Sequence, residues 1–388
     1  MLKTLAVQNY RSLREVVVGL GKLNVVTGPN GSGKSNLYRA LRLLAATGRG
    51  ELVGQLAREG GLPSTLWAGP ETVSPAMKSG RHAVQGTVRK HPVGLKLGFA
   101  AVDFGYSVEL GLPPKSDAPS PFALDPVIKR ECIWAGPVFR PAATLVDRRG
   151  PGLRSTDEAG RWQTYPDPLS TFESMMTEYV DLRAAPEMVL VRSRLRSWRF
   201  YDHFRSDLDA PARRPRIGTH TPVLADDGAD LAAALETIRL IGDAQGLDEA
   251  VDDAFPGSRI QVASDAARFE LRLRQPGMLR PLGTAELSDG TLRYLLLVAA
   301  LLSPRPPELL VLNEPETSLH PDLIPALARL IVRAAQDAQV IVVTHNGILI
   351  DRLGEEASPR HVRLGKELGE TVTDVPSLEE PSWTWPPR

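Results

Sequence analysis

The sequence predicts an α/β fold in which a buried, mainly parallel sheet is assembled from the two ends of the chain. Three observations lead there. Residues 23–27, in "KLNVVTG", form an apolar strand running into a glycine-rich turn, and "SNLYRALRLLAA" then sets Leu37, Leu41 and Leu44 at helical spacing. The closing third alternates: helix 288–302, strand 308–313, helix 321–336, strand 339–344, helix 346–353 and a last strand at 360–364. Its strands are apolar throughout, as strands covered on both faces are. The stretch from about 84 to 112, with "VGLKLGFAAVDFGYSVELGL", instead alternates between glycine breaks, the pattern of antiparallel strands.

The remaining elements follow in order. Residues 2–8 read as a first strand, and 113–126 as a proline-rich surface loop. Between roughly 141 and 220 the composition turns to Arg, Pro, Trp and Tyr with short helical pieces. "ADDGADLAAALETIRLI" reads as a capped amphipathic helix, "SRIQVASDAARFELRLRQ" as two more strands, and "DVPSLEEPSWTWPPR" as a tail. No internal repeat or heptad run stands out.

Bulk composition narrows the function classes. A chain of 388 residues is long for a single core, so one large domain with an insertion, or two domains, is expected. Its 46 basic and 46 acidic residues cancel, so any basic surface must be local. A single cysteine, Cys132, excludes an intrachain disulfide and a Cys-based zinc site, and its setting in "RECIWAG" is that of a buried, inert thiol. The start lacks a signal-peptide apolar segment, and the longest apolar run, "LLLVAALL" at 295–302, is too short to span a bilayer. A cytoplasmic protein with no membrane partner is expected.

"GPNGSGKS", Gly28 to Ser35, matches G-x-x-x-x-G-K-[ST] between a strand and a helix, the context that motif requires. The loop Asn30–Gly31–Ser32–Gly33 lets backbone N–H groups turn around a phosphate, and the helix N-terminus adds partial positive charge. Lys34 reaches the β- and γ-phosphates, and the Ser35 hydroxyl can ligate Mg²⁺. A bound nucleoside triphosphate is expected.

Three features further along choose among proteins with such a loop. "LSDG", Leu287 to Gly290, opens a helix, where Ser288 reads as a helix cap or, on evidence that is weak from these four residues alone, as a phosphate contact. "LLVLNEPETSLHP" is an aliphatic strand entering a carboxylate-bearing turn, and "VIVVTHN" is an apolar strand ending at His345. With "QNYRSL" near the start and "GPNGSGKSN", these make the chain resemble the ABC-type ATPase heads of the SMC/RecF/OLD group, among them predicted bacterial AAA-family ATPases.

That resemblance covers both chain ends well and the middle loosely. It implies a P-loop NTPase fold, an ABC-ATPase head with an antiparallel β portion and a helical insertion. Residues 1–140 would form the N-terminal part of the head, 141–255 an arginine-rich, mainly helical insertion, and 256–388 the C-terminal part. It further implies ATP and Mg²⁺ as cofactors, with Asn36 and Arg11 near the nucleotide. Glu314 would position the attacking water, His345 would sense the γ-phosphate, and Ser288 with Gly290 would close over the nucleotide of a second copy. Residues around Ser318 to His320 would touch that copy. Two departures stand out: Asp289 occupies a place where transporter-type heads carry glycine, and only Gln55 is available as a lobe-joining glutamine.

Asn313 stands where such strands usually end in the aspartate that holds magnesium through water. Its amide oxygen can accept that water's hydrogen bond but adds no charge. Two unit charges about 4–5 Å apart at an effective dielectric near 20 interact by roughly 3–4 kcal/mol. Losing that term weakens magnesium binding while easing repulsion toward the triphosphate, so ATP binding should survive and hydrolysis should be slow.

The stretch 192–216, "RSRLRSWRFYDHFRSDLDAPARRPR", interleaves arginines with Trp198, Phe200, Tyr201 and Phe204. It reads either as a DNA contact or as an apolar helix face with solvated, acid-paired arginines, and the zero net charge favours the second. Two functions stay open. One is a slow ATPase that dimerises on ATP and gates DNA or a partner protein, in repair or anti-phage defence. The other is an ATP-dependent dimerisation switch with negligible hydrolysis that recruits a separate effector. A transporter subunit fits less well, given the long interval from Lys34 to Ser288.

Overall fold

The computed structural model describes residues 1–72, 75–78, 81, 93–114, 120–157, 159–178, 185–374 and 382–387. The part of the expected antiparallel stretch at 84–92 and the part of the expected loop at 115–119 lie outside them. In chain order the elements begin with β1 (Leu2–Tyr10), β2 (Leu13–Gly19), β3 (Leu23–Thr27), α1 (Lys34–Arg49), α2 (Leu52–Arg58), α3 (Leu62–Thr65) and α4 (Pro75–Lys78). There follow β4 (Leu95–Ala101), β5 (Phe104–Gly111), β6 (Val127–Ala135), β7 (Thr144–Arg149), β8 (Gly152–Thr156), β9 (Trp162–Thr164), α5 (Met175–Glu178) and α6 (Pro186–Ser197). Next come β10 (Arg199–Tyr201), β11 (Arg216–Ile217), α7 (Leu231–Ile241), α8 (Ala244–Ala254), β12 (Arg259–Asp265), β13 (Arg268–Arg274), β14 (Leu282–Gly283) and α9 (Asp289–Leu301). The chain closes with β15 (Leu309–Asn313), α10 (Ile324–Asp337), β16 (Gln339–Val343), α11 (Gly347–Glu356), β17 (Arg360–Glu367) and β18 (Glu370–Thr373).

The chain divides into two compact units. The first comprises Met1–Gly21, Thr27–Trp198 and Val362–Arg388. Its sheet runs β2-β1-β4-β5-β6-β7-β8-β9 with every neighbour antiparallel. Tyr10 pairs with Leu13, so Arg11 and Ser12 are the two-residue turn of the first hairpin, with Arg11 at φ 50°. "QNYRSL" is therefore a tight turn that presents two polar side chains. Leu5, Val7, Leu97, Phe99, Tyr106, Val108 and Ile133 are fully buried, and the Trp198 ring packs 5.4 Å from Phe99. Cys132 is buried as expected. The expected tail is not loose where described: Trp383 stacks edge-on to Trp134 at 5.6 Å, over Gly98, where a Cβ would lie 2.7 Å from its ring.

The second unit comprises Lys22–Val26 and Arg199–His361. Four parallel strands run in the order β10-β15-β16-β3, with Tyr201 opposite Leu312, Asn313 opposite Val343, and Val343 opposite Val26. Leu309–Leu312 and Val340–Val343 are buried, which accounts for their unbroken apolar runs. α9 is buried on nearly every side, and α10 turns one apolar face inward. An antiparallel hairpin, β12 and β13, carries β11 and β14 on β13.

The stretch 141–255 holds β7 to β11 as well as α5 to α8. The α7 helix forms as expected, but Asp230 accepts from the Ala225 N–H and makes no side-chain cap. Trp198, Phe200, Tyr201 and Phe204 are buried, so none offers a ring face to a base as placed. Arg205 pairs with Asp207 and Arg214 with Asp209, and Arg213 is buried. Among the described residues no helix is long and apolar enough to cross a membrane.

Candidate functional site

The residues singled out by sequence fall into two groups, one in each unit. In the first unit the glycine-rich loop leaves Thr27 and enters α1 at Lys34. Gly28 (φ 153°) and Gly33 (φ 107°) hold backbone conformations closed to most side chains. A Cβ would also lie 2.3 Å from the Leu364 carbonyl oxygen at Gly28 and 2.2 Å from Thr371 Oγ1 at Gly33. Both glycines are thus dictated twice, by conformation and by close approach. Lys34 is only 7% exposed, and its Nζ donates to the Gly28 and Pro29 carbonyls at 2.6 and 3.2 Å. Its ammonium is folded over the loop that the motif reserves for phosphate.

Asn30 and Ser35 are exposed, leaving the Ser35 hydroxyl accessible to a metal. Asn36 Nδ2 donates to Ser12 Oγ at 2.8 Å, and Ser12 Oγ lies 2.7 Å from Thr371 Oγ1. Because Thr371 Oγ1 donates to the Ser32 carbonyl at 2.8 Å, the donor order must run Asn36 to Ser12 to Thr371 to Ser32. Thr371 N–H also donates to the Ser12 carbonyl at 2.8 Å. The β17–β18 hairpin is thereby tied to the loop, and it brings Lys366 Nζ to 3.9 Å from where a Gly31 Cβ would sit. Ser32 Oγ is buried without a partner among the described residues. A buried hydroxyl left unpaired is costly, and a phosphate oxygen is a group that could satisfy it.

Arg11 is turned elsewhere. Its Nε and Nη2 donate to Glu59 Oε2 at 3.1 and 2.7 Å, and the Tyr10 hydroxyl donates to the same oxygen at 2.7 Å. Burial, with Glu59 beside it, holds the Tyr10 hydroxyl well above its ordinary pKa, so it stays a donor. Gln55 is partly exposed on α2 and bonds Glu51.

In the second unit the carboxyl ends of β15 and β16 lie side by side. Glu314, just past β15, is held at φ 48° while its N–H donates to the Val343 carbonyl at 2.8 Å. Its Oε1 lies 3.3 Å from His345 Nδ1, and both side chains are partly exposed. Glu316 is buried instead, accepting from the Thr344 hydroxyl. Of the two glutamates, only Glu314 is open to a water. Asn313 Nδ2 donates to Asp202 Oδ1 at 2.7 Å, a neighbour that sequence reading did not find.

Ser288 caps α9, accepting from the Thr291 N–H at 3.1 Å, so the capping reading is realised and the side chain remains exposed. Asp289 accepts from Arg213 Nη2 at 2.8 Å, and Arg213 Nη1 donates to the Leu287 carbonyl at 2.9 Å. The aspartate that departs from the transporter pattern thus anchors the helix start to a buried arginine. Gly290 faces the Ser318 carbonyl, 3.2 Å from a would-be Cβ, and Ser318 itself sits at φ 64°.

The family profile described as AAA domain, putative AbiEii toxin, Type IV TA system matches residues 23–351. A 44-residue stretch is 46% identical to the OLD nuclease of Thermus scotoductus, spanning 11% of this chain and 8% of that protein. Among solved structures, an SMC head bound to the C-winged helix domain of ScpA is similar over 97% of this chain and 98% of its own, with a TM-score of 0.51 and 14% identity. An SMC head domain with an extended coiled coil, bound to the C-terminal domain of ScpA derived from Pyrococcus furiosus, is similar over 97% and 96%, with a TM-score of 0.50 and 12% identity. These likenesses identify the fold as a P-loop ATPase head of the SMC kind.

Proposed function

The chain belongs to the family described as AAA domain, putative AbiEii toxin, Type IV TA system, and from that premise we propose that it is a slow, Mg²⁺-dependent ATPase that pairs with a second copy when ATP is bound. The observation that carries this reading is the loop itself, with Lys34 folded over it and Ser32 Oγ buried and unpaired. Lys34 and Ser35, with Asn30, Gly31, Gly33 and Asn36, hold the phosphates, and Ser35 and Asn313 stand ready for the metal. Magnesium, when bound, screens the charge of the triphosphate. Glu314 orients the attacking water, and His345, whose Nδ1 lies 3.3 Å from its Oε1, reports on the γ-phosphate. Ser288 and Gly290 of one copy close over the nucleotide of the other.

Slow turnover is supported by the neutral Asn313 and by Arg11 being occupied with Glu59. The client would be DNA or a separate effector protein, in repair or anti-phage defence. The buried aromatics of 198–204 favour a protein client over a base-stacking surface. Steady-state ATP turnover of the wild type beside Lys34→Ala tests the reading. Low turnover abolished by the substitution supports it, and turnover indifferent to Lys34 overturns it.

A second reading, a switch that dimerises without appreciable hydrolysis, is favoured by the same Asn313. Turnover at the background rate, together with ATP-dependent pairing, would select it.

A further inference from the structure

The three glycines of the phosphate loop all face one element. A Cβ at Gly28 would lie 2.3 Å from the Leu364 carbonyl oxygen, and one at Gly33 would lie 2.2 Å from Thr371 Oγ1. At Gly31 the group met is Lys366 Nζ, 3.9 Å from the Cβ position. β17 therefore runs along the loop from Gly28 to Gly31, and β18 returns against Gly33. All of these residues belong to the first unit.

The register of the hairpin sorts its charges onto two faces. Lys366 pairs directly with Thr371, and Glu367 with Glu370. Paired residues of an antiparallel ribbon share a face and successive ones alternate, so Lys366 stands with Thr371 on the side that meets the loop. Glu367 and Glu370 stand on the other, where Glu370 accepts from Arg14 at 3.1 Å. Lys34 Nζ, the other ammonium at the loop, is held by the Gly28 and Pro29 carbonyls. Two ammonium groups and the N-terminus of α1 thus gather at one glycine-rich turn, and among the described residues neither ammonium has a carboxylate partner. Ser32 Oγ, in a residue 1% exposed, is unpaired in the same turn among the described residues. Like charges gathered without a counter-ion repel, and a buried hydroxyl without a partner is costly. A phosphate chain relieves both.

We propose that Lys366 is a second phosphate-binding cation of this loop, which makes the β17–β18 hairpin part of the nucleotide site. The proposal rests on the nucleotide reading above and extends it to a strand that the loop motif does not include. Thr371, through its bonds to Ser32 and Ser12, fixes the hairpin and so sets where Lys366 stands. A lysine acts there as a point charge on a flexible stem, able to follow a phosphate oxygen. A merely solvated lysine would make no difference to nucleotide binding.

The test is the ATP affinity of the full chain, measured by isothermal titration calorimetry at two salt concentrations, beside urea unfolding without nucleotide. Wild type, Lys366→Gln and Lys366→Arg are compared. Lys366→Gln is expected to weaken ATP binding about tenfold, the low end of what a hydrogen bond to a charged group contributes. Its affinity should also depend less on salt than the wild type's, because one charge fewer is screened. Lys366→Arg is expected to keep most of the affinity, and the urea midpoint should be the same in all three, since Lys366 is exposed. ATP bound by Lys366→Gln as tightly as by wild type overturns the proposal and leaves a solvated lysine. A loss that Lys366→Arg shares, or one accompanied by a fall in the urea midpoint, overturns it too, because charge is then not the cause. A wild type that binds no ATP, with or without Mg²⁺, overturns the nucleotide reading itself, and the proposal with it.

Discussion

Ser12 and Thr371, 359 residues apart in sequence, share a hydrogen bond of 2.7 Å beside the glycine-rich loop. Through it the first hairpin, the loop and the last hairpin become one hydrogen-bonded assembly, since Thr371 also donates to Ser32 and Asn36 donates to Ser12. Thr371→Val keeps the shape and removes the hydroxyl, leaving the Ser32 carbonyl and Ser12 without that partner. A cost of about 1–3 kcal/mol in urea unfolding is expected for the buried polar groups left unpaired. ATP affinity should fall with it, because the loop loses its brace. Adding Ser12→Ala should cost less than the sum of the single changes, since both act on one chain of bonds. Additive losses would show that the two hydroxyls act separately.

Glu59 competes for Arg11. A single carboxylate oxygen accepts from Tyr10 and twice from Arg11, so Arg11 reaches a nucleotide only by leaving it. Glu59→Gln should therefore raise ATP affinity, by about fivefold at most, because a partly exposed ion pair is worth up to about 1 kcal/mol. Arg11→Ala in the same background should erase the gain. An affinity for ATP that is the same with and without Glu59 would remove Arg11 from the nucleotide site.

What could be read from sequence and what could not differ by the range of the interactions involved. Gly28, Gly33 and Lys34 answer to a local motif, so their conformation and contacts were legible in "GPNGSGKS". The strands 309–313 and 339–343 were legible because burial on both faces leaves an unbroken apolar run. Asp202 was hidden because β10 is three residues long and lies inside the arginine-rich stretch. Phe200 and Tyr201, which read either as a stacking surface or, with the zero net charge in favour, as an apolar face, are that strand's buried residues. Thr371 was invisible for another reason: nothing local in "ETVTD" says which turn it will meet. Strands β7 to β9 escaped because their arginines interrupt the apolar alternation; Asp147, buried within β7, pairs with two of them, Arg149 and Arg154, and with Arg130 of β6.

Cys132 offers a measure of how tightly the first unit is packed. Burial, with Asp147 nearby, pushes its thiol up to about 12. A raised folded value adds stability that is fully present below the unfolded thiol pKa of about 8.5 and is lost as pH rises toward the folded one. Labelling of the native protein by a thiol reagent at pH 8 should therefore be slow and should accelerate with urea in step with unfolding. Prompt labelling of the folded chain would show that this sheet opens locally without unfolding.

Glu314 separates the two proposed functions. It lies open beside His345, whereas Glu316 is buried against Thr344, so Glu316 is not placed to take over its work. Glu314→Gln keeps the size and the hydrogen-bond reach but removes the base. If the protein turns over ATP, the variant should lose at least about 100-fold in rate, the lower end of what general-base catalysis contributes. It should also accumulate as an ATP-bound dimer in light scattering, because hydrolysis no longer releases the pair. If the wild type is already a non-hydrolysing switch, wild type and variant should dimerise alike at every ATP concentration. An ATP-dependent dimer that appears only in the variant selects the enzyme, and equal dimers in both select the switch. A chain that stays monomeric in both, while still binding ATP, would remove dimerisation from the proposed function.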